Sequence, residues 1–172
     1  MDNQLDVPLG ILKLPVPLKE DYNRGQKLIE LIEKPLWTIT GKCAKDTLIP
    51  DLVSICKVNE QHQFIIFDAK YYNAHLEKGI VPTGQPGIES ITKQYLYQLA
   101  YQRFIEDHKF SSVKNCFLLL TENNEIEDKG EVRMEMLSNL GLQDIKIRLI
   151  PATMAYDLYL SGSKMDMERL DL

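Results

Sequence analysis

The residues of this chain best suited to chemistry gather in one short stretch. Ile49-Pro50-Asp51 is followed, sixteen residues later, by Asp68-Ala69-Lys70, which closes the apolar run Phe64-Ile65-Ile66-Phe67. This spacing predicts a β-hairpin carrying two carboxylates and a lysine. Side chains two apart on a strand share a face, so Asp68 and Lys70 point the same way, about 7 Å apart at Cα, with Ala69 toward the other side. Asp51, near the start of the preceding strand, lies across the hairpin from them. Pro50 has no N–H to donate and suits a strand edge or bend. Two carboxylates, with the Ala69 carbonyl, a phosphate oxygen and waters, would satisfy the oxygen-rich octahedron of Mg2+, with Mn2+ as a substitute. Such a cation acidifies water and stabilises charge on a phosphate. Lys70 would orient the attacking water or stabilise the transition state electrostatically. The chemistry is metal-dependent hydrolysis of a phosphodiester. Each half also has a plainer reading: charged residues at strand ends are usually just solvated, and an aspartate after proline is usually a turn residue.

The elements that must position these groups follow from periodicity. Leu48 to Val58 reads as a strand, Asn59–His62 as a turn and Gln63–Tyr72 as a second strand. A Gly/Pro-containing loop, Ala74 to Glu89, is long enough to be functional or mobile. Ser90 is placed to cap a helix from Ile91 to His108. Gln94, Gln98 and Tyr101 line one face of that helix, and Lys93, Tyr97 and Tyr101 form an adjacent stripe. Leu96, Leu99, Ala100 and Phe104 are expected to face the core. The polar, aromatic stripe could touch a phosphate or hold the metal's waters; ordinary half-exposed helix residues are the alternative. Residues 22–34 fit an amphipathic helix with Leu28, Ile29, Leu31 and Ile32 inward, ended by Pro35. Its Glu30 and Glu33 are candidates for a third carboxylate, or simply solvated charges. Val113–Thr121 reads as a buried strand, 131–140 as a short helix closed by Gly141, Ile145–Ile150 as a strand and 152–160 as a last helix. Residues 1–20, with Pro8, Pro15 and Pro17, read as an extended arm or linker before a domain over 21–172. The order α-β-β-α-β-α-β-α implies an α/β sandwich around a mixed sheet.

Composition removes several alternatives. A chain of 172 residues suits one domain with a real core. No apolar run approaches the roughly 20 residues that cross a bilayer, and the acidic first residues lack a secretory h-region, which points to the cytoplasm. Cys43, Cys56 and Cys116 are odd in number and form no zinc pattern with His62, His75 or His108. No Gly-rich phosphate loop or nucleophile elbow supports a small-molecule enzyme. The net charge of −5 opposes independent DNA affinity. A nuclease this acidic is expected to receive its DNA from another domain or subunit. No base-reading element is identifiable, and a homodimer is left open.

Ile49-Pro50-Asp51, Phe67-Asp68-Ala69-Lys70-Tyr71-Tyr72 and Tyr97-Gln98-Leu99-Ala100-Tyr101, in this order, resemble the PD-(D/E)XK nuclease superfamily. More narrowly they resemble its McrC and LlaJI-like restriction endonuclease branch. Gln85-Pro86-Gly87 followed by Ile91-Thr92-Lys93-Gln94-Tyr95 is especially LlaJI-like. The resemblance covers roughly residues 25–120. It implies a restriction-endonuclease-like core, a central mixed β-sheet flanked by helices. It implies Asp51 and Asp68 as metal ligands, Lys70 as the catalytic lysine, and Gln98 and Tyr101 as the helix motif beside the site. Glu30 or Glu33 would be the upstream helical glutamate. The implied substrate is double-stranded DNA. McrC-like nucleases work with an AAA+ GTPase motor, which here would be a separate subunit, since no G-x-x-x-x-G-K-[ST] loop is present. Family members usually carry a DNA- or partner-binding region before the nuclease core. Only about twenty residues precede the first expected helix here, so an isolated nuclease domain or truncated product is expected. A nuclease fold that docks DNA or a motor without cutting is the alternative.

Overall fold

A computed structural model describes residues 1–172. The run Phe64-Ile65-Ile66-Phe67 is apolar on both faces, as a strand covered on both sides must be. It lies in β4 (Gln61–Lys70), the second strand of a five-stranded sheet. The neighbours are β3 (Leu52–Val58), β5 (Ser112–Thr121), β7 (Ile145–Pro151) and β6 (Glu127–Val132), in the order β3-β4-β5-β7-β6. β3 pairs antiparallel with β4, β5 lies parallel between β4 and β7, and β6 is antiparallel to β7. The crossover from β4 to β5 carries α1 (Ile88–Asp107), and α2 (Ala152–Ser161) follows β7 directly. This is the mixed central sheet with flanking helices expected of a restriction-endonuclease-like core. No helix is long and apolar enough to cross a membrane.

The two faces of β4 divide the core. Phe64 and Ile66 pack with Val53, Ile55, Tyr97, Tyr101 and Phe104 on the α1 side. Ile65 and Phe67 pack with Cys116, Ile150, Met165 and Leu170 on the other. Asp68 and Lys70 continue the first of these faces by the two-residue period. The β3–β4 turn is tighter than Asn59–His62: only Asn59 (φ 47°) and Glu60 (φ 65°) lie outside the ladder, the left-handed pair that a two-residue hairpin turn requires.

The helix expected over 22–34 does not form. Only Leu28–Leu31 makes a 3-10 turn. The reason is competition for the backbone: Gln26 O and Arg24 O accept from Leu9 N (2.8 Å) and Gly10 N (2.9 Å). A Cβ on Gly10 would meet Arg24 O at 3.0 Å, so this approach depends on the glycine. The residues expected inward still face the core: Leu28 and Ile32 are buried, and Ile29 and Leu31 pack against the same cluster. Residues 1–20, read as an extended arm or linker, pack in part onto the body of the chain. Leu5 and Leu9 are buried in the α1-side core, and the Gln4 amide pairs with both Ile55 N (2.9 Å) and Ile55 O (3.2 Å).

Three further differences concern short or polar pieces. α1 starts after Gly87, so Ser90 lies within its first turn and caps nothing. The helix expected over 131–140 is a 3-10 turn, Glu135–Leu140, ended as expected by Gly141 in the left-handed region (φ 67°). β6 and a small hairpin of β1 (Leu36–Trp37) and β2 (Lys42–Cys43) were not legible. β6 is mostly charged and carries a bulge between Asp128 and Glu131, features that protect a sheet edge.

Candidate active site

The start of β3 and the end of β4 lie side by side because the hairpin register pairs Leu52 with Phe67. That register sets Asp51 against the residues that follow Phe67. Asp51 Oδ2 accepts a 2.8 Å hydrogen bond from Ala69 N, which fixes its carboxylate over the end of β4. Asp68, only 3% exposed, pairs with Lys70 Nζ at 2.6 Å. Burial, then the adjacent Asp51 carboxyl, pushes Asp68 up to about 6 against the opposing pull of Lys70. Asp51 itself is exposed, so the cluster opens to solvent on one side. An apolar cleft of about 550 Å³ adjoins it, bordered by Ala69, Lys70, Tyr71 and Tyr156.

Two carboxylates thus adjoin, the exposed one held by a backbone N–H and the buried one by a single ammonium. Burial and then a like charge disfavour the ionised form of Asp68, and a hard divalent cation would favour it. The donor set therefore fits Mg2+ or Mn2+: two carboxylates and an exposed strand end at Ala69, with no soft ligand.

The helix residues expected at the site are placed otherwise. Gln98 Oε1 accepts from Asn115 Nδ2 (2.6 Å) and Gln143 N (3.0 Å), joining α1 to β5 and to the loop before β7. Tyr101 is fully buried against Phe64, its hydroxyl has no hydrogen-bond partner, and burial raises its pKa. The inward face of α1 is thus the polar stripe Gln94, Tyr97, Gln98 and Tyr101, while Leu96 is exposed. Gln94 Nε2 donates to Ile66 O at 2.8 Å, within β4 itself. Glu30 accepts from its own turn, at Lys27 N (2.7 Å). Glu33 borders a separate cleft with Tyr22, Asp46 and Arg103. No group of three His, Cys, Asp or Glu side chains forms anywhere in the chain, so neither glutamate joins Asp51 and Asp68.

Tyr97 does reach the site, and its role was not foreseen. Its hydroxyl donates to Ile49 O at 3.0 Å, tying the segment before Asp51 to α1. Burial and then the charges of Asp68 and Asp51 push the phenol up to about 12. The available signal was its i, i+3 relation to Gln94, which sets both on the face toward the sheet.

Residues 20–157 match the family model described as LlaJI restriction endonuclease. The chain is also 28% identical over 158 residues to the Type II restriction enzyme BsuMI component YdjA of Bacillus subtilis (strain 168). That match covers 88% of this chain and 32% of the relative, so the chain spans about a third of the relative's length. No solved structure matches. With the matched region running from before the β3–β4 hairpin into α2, the chain belongs to the LlaJI restriction endonuclease family.

Proposed function

We propose that this chain is the cutting domain of a restriction system, a PD-(D/E)XK-type, Mg2+-dependent endonuclease acting on double-stranded DNA. The observation that carries this reading is the convergence of Asp51, Asp68 and Lys70 at one end of the sheet, in a chain of a restriction endonuclease family. Asp51 and Asp68 would hold the cation, with the Ala69 carbonyl completing the protein donors. When bound, it supplies acidification of the attacking water and charge stabilisation at the phosphate. The residues of the chain do the rest. Ala69 N holds Asp51 in place, and Tyr97 fixes the backbone that leads to it. Lys70 is held at the site by Asp68 and would face the negative charge of the transition state. An AAA+ GTPase motor as a separate subunit is proposed by analogy with McrC-like systems, and the relative is itself called a component. A homodimer and action in the cytoplasm belong to the same proposal.

Plasmid cleavage by the chain with its partners and Mg2+ tests this. Cleavage is expected to stop with a chelator, to return with Mn2+, and to fall by about 10²-fold or more in Asp68→Asn and Lys70→Ala, the loss typical of removing an electrostatic stabiliser. Undiminished cutting by both variants would overturn it. The reading as a non-cutting docking module rests on the acidic net charge. It gains if DNA binds and no condition produces cleavage.

A further inference from the structure

The β1–β2 hairpin stands away from the body of the molecule. Every residue from Glu33 to Cys43 is exposed, including Leu36 (59%), Trp37 (64%) and Ile39 (95%). An isolated two-stranded hairpin is marginal in water, yet this one is braced. Thr40 N and Gly41 N both donate to Trp37 O across the tip, at 3.1 and 2.9 Å, and Gly41 takes the left-handed conformation (φ 64°) that the turn needs. At the base, Ala44 N donates to Pro35 O (2.7 Å) and Thr47 Oγ1 to Glu33 O (2.6 Å). The chain builds a stable projection and covers none of it.

Its chemistry is not that of the remaining surface. Residues 33–46 carry Lys34, Lys42 and Lys45, with Glu33 and Asp46 only at the base, so the projection is net positive in a chain of net charge −5. All three lysines are exposed, and none takes part in an ion pair. Lysine is depleted at the cores of protein interfaces, whereas phosphate neutralisation by lysine dominates DNA affinity. A two-stranded ribbon fits the major groove, where an apolar side chain meets the thymine methyl. Residues 44–50 link the hairpin to Asp51, a span of about 28 Å at most, inside the ~34 Å turn of a duplex.

From this we infer that the β1–β2 hairpin is a duplex-DNA contact of this chain, with Lys34, Lys42 and Lys45 on phosphates and Trp37 and Ile39 directed to the groove. The inference deepens the nuclease reading and rests on it for the choice of ligand. It also supplies the positive element that the overall charge conceals.

Trp37 is the chain's one tryptophan, so its emission reports on the hairpin directly. The full chain, with chelator present so that DNA stays intact, is titrated with a short mixed-sequence duplex at low and moderate salt. Saturable quenching or shift of Trp37 emission is expected. Lys34→Ala/Lys42→Ala/Lys45→Ala should bind at least tenfold more weakly at low salt. Its log-affinity against log-salt slope should be smaller by about 2 to 3, as lost phosphate contacts require. Circular dichroism should show the fold unchanged, since every altered side chain is exposed. No duplex binding, binding with silent Trp37 and an unaffected triple variant, or an emission change that follows protein concentration instead of DNA, would each overturn the inference. If Asp68→Asn abolishes cleavage while Trp37 stays silent, the hairpin assignment alone fails. If Trp37 responds and no condition yields cleavage, the nuclease reading fails and the DNA contact stands.

Discussion

Asp68 is buried beside Asp51 and retains its proton to about pH 6, whereas an unfolded aspartate loses it near 3.8. Between these values the folded chain binds more protons than the unfolded one, so this group's contribution to stability falls as pH rises through the window. Above pH 6 the cost is complete. In the absence of metal, Asp68→Asn should therefore flatten the stability profile between pH 4 and 6 and stabilise the chain at pH 7 by on the order of 1 kcal/mol. Denaturant midpoints across that range, wild type against variant, check this. A lower midpoint for Asp68→Asn at pH 7 would show that the wild-type carboxylate is not under strain. Added Mg2+ should raise the wild-type midpoint at pH 7 and leave the variant's unchanged. Tyr101 offers a contrast on the same scale. Its buried hydroxyl has no partner, so Tyr101→Phe should leave stability unchanged or raise it, with cleavage intact. Loss of cleavage in a folded Tyr101→Phe would restore the hydroxyl to a catalytic role.

Helix α1 packs on the sheet through Tyr97, Tyr101 and Phe104, and adds polar contacts that hold the site. Gln94 reaches Ile66 O in β4, Tyr97 reaches Ile49 O ahead of β3, and Gln98 reaches Asn115 in β5. Three neighbouring segments of the active end are thereby fixed to one helix. Gln98→Leu removes the acceptor that the buried Asn115 amide shares with Gln143 N, and should cost about 1–3 kcal/mol. Its cleavage loss should follow the unfolded fraction and recover at lower temperature, which a residue in the reaction would not do. Tyr97→Phe removes one hydrogen bond, about 1 kcal/mol, but loosens the backbone beside Asp51. Its loss of cleavage should therefore exceed its loss of stability, and apparent Mg2+ affinity should fall with it. Equal losses would make Tyr97 a packing residue only.

Across the whole molecule, distant segments close over the sheet. Residues 4–9 lie on β3, while the 3-10 turn Met167–Leu170 is held by Arg148 of β7. The Arg148 guanidinium, buried to 2% exposure, donates to Leu170 O and Asp171 O, each at 2.6 Å, and pairs with Asp128 Oδ1 at 2.5 Å. Arg148→Met releases that turn from β7 and strands its carbonyls, at a cost of about 2–4 kcal/mol. Thermal unfolding should show a clear drop in midpoint, with Mg2+ binding preserved while the chain remains folded.

The sequence by itself determined the strands β3, β4, β5 and β7, the inward residues around Leu28 and Ile32, and the pair of acids with their lysine. These are local properties: a two-residue period, a polar turn between two apolar runs, and an apolar run that only a covered central strand can satisfy. Tertiary structure decided the roles of the remaining polar residues. Gln98, Tyr101, Glu30 and Glu33 are chemically suited to a metal site. Whether they reach it depends on backbone partners far away in sequence, such as Gly10 and Leu9 pairing with residues 24–26 in place of a helix. The exposure of the basic β1–β2 hairpin belongs to the same level, because only the packed body shows which apolar residues it leaves uncovered.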